Sequence, residues 1–298
     1  MIMKITNIAL TLLLAGGLST SCIKEDHSEC HNLYRLAFSY MGDGQTEIFT
    51  EKISSVYLYV FDADNVCVAS EQLSDDDVRA RLFTLPQLEP GDYKIVCLGN
   101  ADQTGVESLS DGGLEQIVFA SDAYLAGETV SGNDPLYWAL TDYQIKPFDA
   151  KQIVETRIAE FESSHFDVYV EVAGLEAQTK AGEFPRIELV GVSPMTDFTN
   201  TATGTPVTYV MDVKQGEEAT LSAHSSIMRH ADHKAVDLRV THPDGTILAE
   251  VNFADHIARN HIDVSLQECV IPFRIEISPM AVQIETPTWF IENITPEF

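Results

Sequence analysis

Apolar residues in this chain recur at every second position over long stretches, the period of a half-buried β-strand, whose successive side chains point to opposite faces. Tyr34, Leu36, Phe38 and Tyr40 form one such row; Phe166, Val168, Val170 and Val172 form another, with Asp167, Tyr169 and Glu171 between them. Val207, Tyr209, Met211 and Val213 repeat the pattern, as do Val236, Leu238 and Val240, and then Phe273, Ile275 and Ile277. Each row should lie on a core while its alternate residues face water, as in antiparallel sheets. Gly42-Asp43-Gly44, Pro90-Gly91-Asp92 and Pro243-Asp244-Gly245 supply turn chemistry at short intervals. Helical periodicity is scarce. The expectation is an all-β chain of β-sandwich architecture.

An internal match bears on the number of sandwiches. Val56-Tyr57-Leu58-Tyr59-Val60 leads to Asp64-Asn65, and 180 residues later Val236-Asp237-Leu238-Arg239-Val240 leads to Asp244-Gly245 at the same offset. Asp-Asn and Asp-Gly tolerate positive φ, so each pair reads as a tight hairpin. Both run on into an apolar strand, Val66-Cys67-Val68-Ala69 and Thr246-Ile247-Leu248-Ala249. Two related sandwiches in tandem follow. Their boundary is expected near Glu162 to Ser164, giving an N-terminal sandwich over 31–163 and a C-terminal one over 164–298.

The chain opens with Lys4, an apolar run from Ile5 to Leu18, and Ser19-Thr20-Ser21-Cys22. That run is too short to span a bilayer and reads as a signal peptide over 1–21. Small residues before a cysteine make it a bacterial lipobox, although Ser19 stands where Leu is usual, and Cys22 becomes the lipidated first residue of the mature protein. More than one acyl chain is needed for stable attachment. Residues 22–30 then form a tether. Within it Lys24-Glu25-Asp26 resembles the surface-export signal of Bacteroidota lipoproteins and is equally compatible with a plain solvated linker.

Eighteen Lys and Arg stand against 46 Asp and Glu, for a formal charge of −28. Basic residues this few and scattered exclude nucleic acid as a partner, and the charge suits a soluble exposed surface. Setting Cys22 aside leaves Cys30, Cys67, Cys97 and Cys269, with three pairings open in an oxidising compartment. Cys67 and Cys97 lie in strand-like runs, as a candidate cross-sheet disulfide or as small buried apolar residues. GxSxG, HExxH, Walker, GxGxxG and EF-hand patterns are all missing from the sequence, so no catalytic residue, metal site or cofactor is assigned. His230-Ala231-Asp232-His233 matches no established metal spacing and reads as a polar loop. Asp75-Asp76-Asp77 reads as a solvated face.

The lipobox and tether from Cys22 to Cys30, the run Val56-Tyr57-Leu58-Tyr59-Val60-Phe61-Asp62, and the run from Leu88 through Pro90-Gly91-Asp92-Tyr93 to Cys97-Leu98-Gly99-Asn100 together resemble the FimB-like and minor-fimbrium anchor subunits. These belong to the fimbrillin superfamily, which builds the type V pili of Bacteroidota. Ile271 to Ile277 and Thr288-Trp289-Phe290-Ile291 are similar to that family's ending; Thr199 to His233 matches little of it.

The resemblance implies two tandem transthyretin-like β-sandwiches in an outer-membrane lipoprotein. Its role would be to anchor a fimbrium at the cell surface and to bear on the fimbrium's length. Its partners would be a fimbrial shaft subunit, through strand exchange, and the outer membrane, through the N-terminal lipid. Shaft subunits of the family lose an N-terminal strand by cleavage after Arg or Lys, whereas an anchor should keep it. The basic residues near the first strand are Lys24, Arg35 and Lys52, and Arg35 lies inside the strand row itself. At the other end Met280, Val282, Ile284, Trp289, Phe290 and Ile291 form a candidate donor strand or, equally, the last elements of the C-terminal core, with Pro287 at a bend. The rival reading from another class is a surface adhesin or glycan-binding lipoprotein, including a fimbrial tip subunit.

Overall fold

A computed structural model describes residues 31–109, 113–149, 151–174, 184–216, 220–278 and 281–292, with backbone alone for 291 and 292. Cys22, Lys24, Glu25, Asp26, Cys30 and Met280 lie outside these residues.

The N-terminal half is made of two sheets. In one, β1 (Leu33–Ser39) is central, antiparallel to β4 (Leu82–Thr84) and parallel to β9 (Val154–Glu160). The other is antiparallel throughout, in the order β10 (Glu162–Ser163), β8 (Tyr137–Ile145), β5 (Gly91–Gly99), β2 (Val56–Phe61) and β3 (Cys67–Gln72). Tyr34, Leu36, Phe38 and Tyr40 are buried with Leu58, Val60, Ile95 and Tyr143 in one core. The period-two row of β1 is thus its inward face.

The C-terminal half repeats the two-sheet plan. Its larger sheet has the order β16 (Val213–Gln215), β17 (Leu221–Met228), β11 (His165–Ala173), β20 (Val270–Ile277) and β21 (Val282–Glu285), with β11 and β20 parallel. Its smaller sheet has the order β15 (Val207–Val210), β12 (Arg186–Val192), β18 (Asp237–Thr241) and β19 (Ile247–Asn252). Phe166, Val168, Val170 and Val172 share its core with Leu238, Val240, Phe273, Ile275 and Ile277. The row Val207 to Val213 is not one strand. The chain bends between β15 and β16, where the buried Met211 donates its N–H to Ile187 O at 2.9 Å.

A fifth sheet is shared by the halves, in the order β14 (Ala202–Thr203), β13 (Met195–Asp197), β7 (Val118–Ser121) and β6 (Thr104–Glu107). Beneath it Phe198 of the second half sits with ring centroids 5.7, 5.8 and 5.6 Å from Tyr59, Phe61 and Phe119 of the first. Val96, Leu98 and Met228 complete this third apolar core. The chain passes from one half to the other at Ser164, between β10 and β11.

Helices are short: α1 (Phe49–Lys52), α2 (Asp75–Ala80), α3 (Asp122–Leu125), α4 (Phe253–Asn260) and α5 (Thr288–Glu292). Two of them extend the internal match. The β2–β3 and β18–β19 hairpins both shift register, after Val60 and after Val240. Leu73 N–H then bonds Val56 O at 2.9 Å, and Phe253 N–H bonds Val236 O at 3.0 Å. The helices α2 and α4 follow, ending on left-handed Arg81 (φ 53°) and His261 (φ 54°). All these pairs are 180 residues apart. The surrounding strand order differs, however: β2 pairs with β5, which comes after it, whereas β18 pairs with β12, which comes before it. What recurs is a hairpin–helix unit set into a different chain order.

The candidate Cys67–Cys97 disulfide does not form; Cys67, Cys97 and Cys269 all carry free thiols. β2 lies between β3 and β5, with Cys67 opposite Phe61 and Cys97 opposite Leu58; two strand spacings and a three-residue offset put the cysteines about 14 Å apart, beyond what a disulfide bridges. They also point to opposite faces, Cys97 into the N-terminal core and Cys67 toward Tyr59 and Phe61. Burial pushes the Cys97 thiol up to about 12 and Cys269 up to about 11, which keeps both protonated and inert.

Candidate functional site

The two candidate assembly elements are held very differently. β1 is flanked on both sides and bolted at Arg35: the Tyr143 hydroxyl accepts the Arg35 N–H at 3.2 Å and stands 3.1 and 3.0 Å from the carbonyls of Arg35 and Glu155. Lys52, the next basic residue, ends α1; its carbonyl accepts from Asn100 Nδ2 at 2.8 Å, and its ammonium pairs with Glu268. At the other end, β21 pairs with β20 at only four positions, Val282 to Glu285, and no strand among the described residues pairs with its far side. Val282 is exposed, while Ile284 and Phe290 rest against the C-terminal core. Trp289 is exposed and meets Tyr169 edge-on at 6.1 Å. Ile291 belongs to α5.

The joint between the halves is polar at its rim and turns on a residue that sequence reasoning missed. Glu268 Oε1 accepts from Tyr40 and, at 3.1 Å, from Tyr137, and its Oε2 takes Lys52. Burial raises the Glu268 carboxyl, but the hydrogen bonds from Lys52 and Tyr40 outweigh it and leave it below the usual range. Asp43 accepts the N–H groups of Gln267 and Glu268 at 2.7 and 3.0 Å, and Ser163 N–H donates to Gln267 Oε1 at 2.7 Å. Nothing in the run Gln267-Glu268-Cys269 marks it beforehand, because its partners are more than 100 residues distant.

A cleft of about 560 Å³ opens beside this joint, lined among others by Lys52, Asp122, Asp134, Asp212, His224 and Glu268. Its carboxylates are mostly engaged: Asp134 accepts from Gln103 N–H and Thr104 Oγ1, each at 2.7 Å, and Asp167 accepts from Ser226 Oγ at 2.8 Å and contacts His224 Nε2 at 3.0 Å. Ser163, His165 and Asp167 superficially suggest a nucleophile, base and carboxylate. His165 Nδ1 lies 2.9 Å from Leu136 O and must donate there, so it cannot take a proton from Ser163. Burial also lowers the His165 pKa despite the neighbouring Asp167. This trio is part of the joint.

The other residues singled out by sequence are structural. Asp75, Asp76 and Asp77 form the first turn of α2, where Ser74 caps and the helix dipole favours negative charge. His230 Nε2 and His233 Nδ1 lie 3.2 Å apart against the Phe166 ring. Burial lowers both imidazoles from their ordinary value. Among the described residues no three His, Cys, Asp or Glu side chains converge on a metal position, and no helix is long and apolar enough to cross a membrane.

Residues 27–295 match the family model Mfa2, described as fimbrillin-A associated anchor proteins Mfa1 and Mfa2. No curated protein matches the chain by sequence. Among solved structures, a candidate adhesin from Bacteroides ovatus superposes with a TM-score of 0.69 at 15% identity, over 87% of this chain and 95% of that one. A candidate polysaccharide-binding protein from Bacteroides thetaiotaomicron gives 0.67 at 14%, over 87% and 96%. The fimbrial anchor protein Mfa2 from Porphyromonas gingivalis gives 0.64 at 15%, over 87% and 98%. At such identity these likenesses show a common fold.

Proposed function

We propose that this chain, which belongs to the family of fimbrillin-A associated anchor proteins, is the lipid-held base of a fimbrium. Acyl chains on Cys22 fix it to the outer membrane, and Lys24, Glu25 and Asp26 direct it to the outer face. A shaft subunit is retained by strand exchange at the C-terminal edge, through the segment carrying Met280, Val282, Ile284, Trp289, Phe290 and Ile291. Stopping the fibre at the cell in this way also limits its length.

The supporting observation is the contrast between the two terminal strands. β1 is paired on both sides, with the Arg35 backbone held by the buried Tyr143 hydroxyl, so cutting there would destroy the N-terminal half and sever it from its lipid. β21 has four paired positions and a bare edge, the form that a backbone ladder with another subunit requires.

Replacing Cys22 with Ala in cells making the pilus should release fibres into the medium; fibres that stay attached at unchanged length overturn the proposal. Deleting 286–298 addresses the strand: a soluble, folded product that no longer retains fimbriae supports exchange, and an insoluble one assigns the segment to the core. The adhesin reading draws on the exposed Tyr169, stacked on His224 at 4.2 Å beside Trp289. A glycan bound by the native chain and lost in Tyr169→Ala would favour it.

A further inference from the structure

The chain enters β1 at one pole of the N-terminal half, and the segment joining β8 to β9 is fastened to that entrance. Leu33 N–H donates to Ile153 O at 2.8 Å, Ile153 N–H donates to Asn32 Oδ1 at 3.0 Å, and Asn32 Nδ2 reaches Lys146 O at 3.1 Å. This pole exposes Phe148 (36%), Ile153 (38%) and Val154 (55%). Pro86, Pro90 and Phe148 line a groove of about 150 Å³ there. The charges around it are Lys146 and Lys151 against Glu89, Asp149 and Glu155, the last paired with Lys146 at 3.5 Å, a net of −1. The mature chain, by contrast, keeps 17 Lys and Arg beside 46 Asp and Glu once Lys4 has left with the signal, a net −29.

We infer that this pole is a membrane-contact face, seated on the headgroups of the bilayer that holds Cys22. The inference rests on the proposed lipid attachment and adds an orientation to it. Cys22 lies nine positions before His31, so the tether spans at most about 30 Å and on average about 17 Å. Within that reach the acidic flanks are repelled by an anionic surface, and the nearly neutral pole is repelled far less. Exposed Phe, Ile and Val side chains then gain by leaving water for the acyl boundary, while Lys151 keeps its ammonium group at the headgroups.

The test uses the full lipidated chain in vesicles of phosphatidylethanolamine and phosphatidylglycerol with brominated acyl chains. A Phe148→Trp variant should lose at least about half of its added emission to the bromines, as expected for a side chain at the acyl boundary. A Leu140→Trp variant, at an exposed mid-strand position of β8 (45%), should not. Equal emission from the two variants overturns the inference. So does a concentration-dependent dimer in lipid-free detergent that shields Phe148→Trp from aqueous iodide, since a second copy would then cover the face. Flotation with the vesicles, and its loss in Cys22→Ala, reports the lipid attachment separately, so failure of the contact is distinguishable from failure of the anchor.

Discussion

The β2–β3–α2 and β18–β19–α4 units use nearly the same local instructions for different ends. Each is a bulged hairpin, a backbone bond closing the unit back to its first strand, a capped helix and a left-handed exit. After α2 the chain drops into β4, antiparallel to β1. After α4 it travels to β20, parallel to β11, and then adds the open edge β21. The difference teaches that hairpin–helix chemistry is local, whereas the neighbours of the hairpin depend on where the rest of each sheet lies in the chain. One half thereby ends sealed around its first strand, and the other ends with a bare edge.

The comparison is broken most forcefully in the cores. Phe253 and Leu73 occupy matching positions, but Phe253 is fully buried, 5.2 Å from Phe273. Phe253→Ala should cost about 4 kcal/mol and Leu73→Ala about 2.5 kcal/mol, read from urea unfolding midpoints. Equal losses would show that the two units carry equal weight.

Next comes the joint, which should make the halves unfold together. Glu268→Ala leaves Tyr40, Tyr137 and Lys52 without their acceptor and should cost about 2–3 kcal/mol. Calorimetry should then resolve two thermal transitions in place of one. A single unshifted transition would mean that the shared sheet and the Phe198 cluster suffice.

Acid should separate the halves further. Burial lowers the pKa of His165, His230, His233 and His256, all on the C-terminal side, whereas the N-terminal half has one described histidine, His31. A depressed folded pKa means that, below the unfolded value of about 6.5, the unfolded chain binds more protons. The contribution of these histidines is full above that pH and falls as pH drops toward the folded values. Asp167 and Glu268, also held low, lose theirs only below the unfolded carboxylate range, about 4. Trp289 emission should therefore respond to acid before Trp138 emission, and His165→Asn should flatten the first part of the profile. Simultaneous responses would contradict this.

The smallest effect concerns the left-handed exits. His261→Gly should stabilise by about 0.5–1 kcal/mol, because glycine adopts positive φ without a Cβ penalty. Arg81→Gly should gain less, since it gives up the 2.8 Å ion pair to Glu47. Thermal midpoints measured side by side check the order.

Much of this was legible in the sequence. The rows Tyr34–Tyr40, Phe166–Val172 and Phe273–Ile277 are buried as their period requires, and the 180-residue match marks a real structural unit. The candidate site was legible only as segments. Val282 and Ile284 were identified as strand residues, but whether their edge is free depends on what pairs with β20. Glu268, Asp43 and Phe198 carried no local signal, because each acts on residues far away in the chain. The Cys67–Cys97 proposal failed for the same reason: strand content was readable, strand order was not.

The sequence by itself determined an all-β chain with an acidic composition and a duplicated hairpin, because side-chain alternation, turn residues and charge act within a few positions. Tertiary structure alone decided that the halves share a sheet and a third core, that Cys97 and Cys67 face apart, and that, among the described residues, β1 is paired on both sides and β21 on one. Those outcomes depend on which strands become neighbours. That choice is set by burying apolar surface across the whole fold, and no short window of residues contains it.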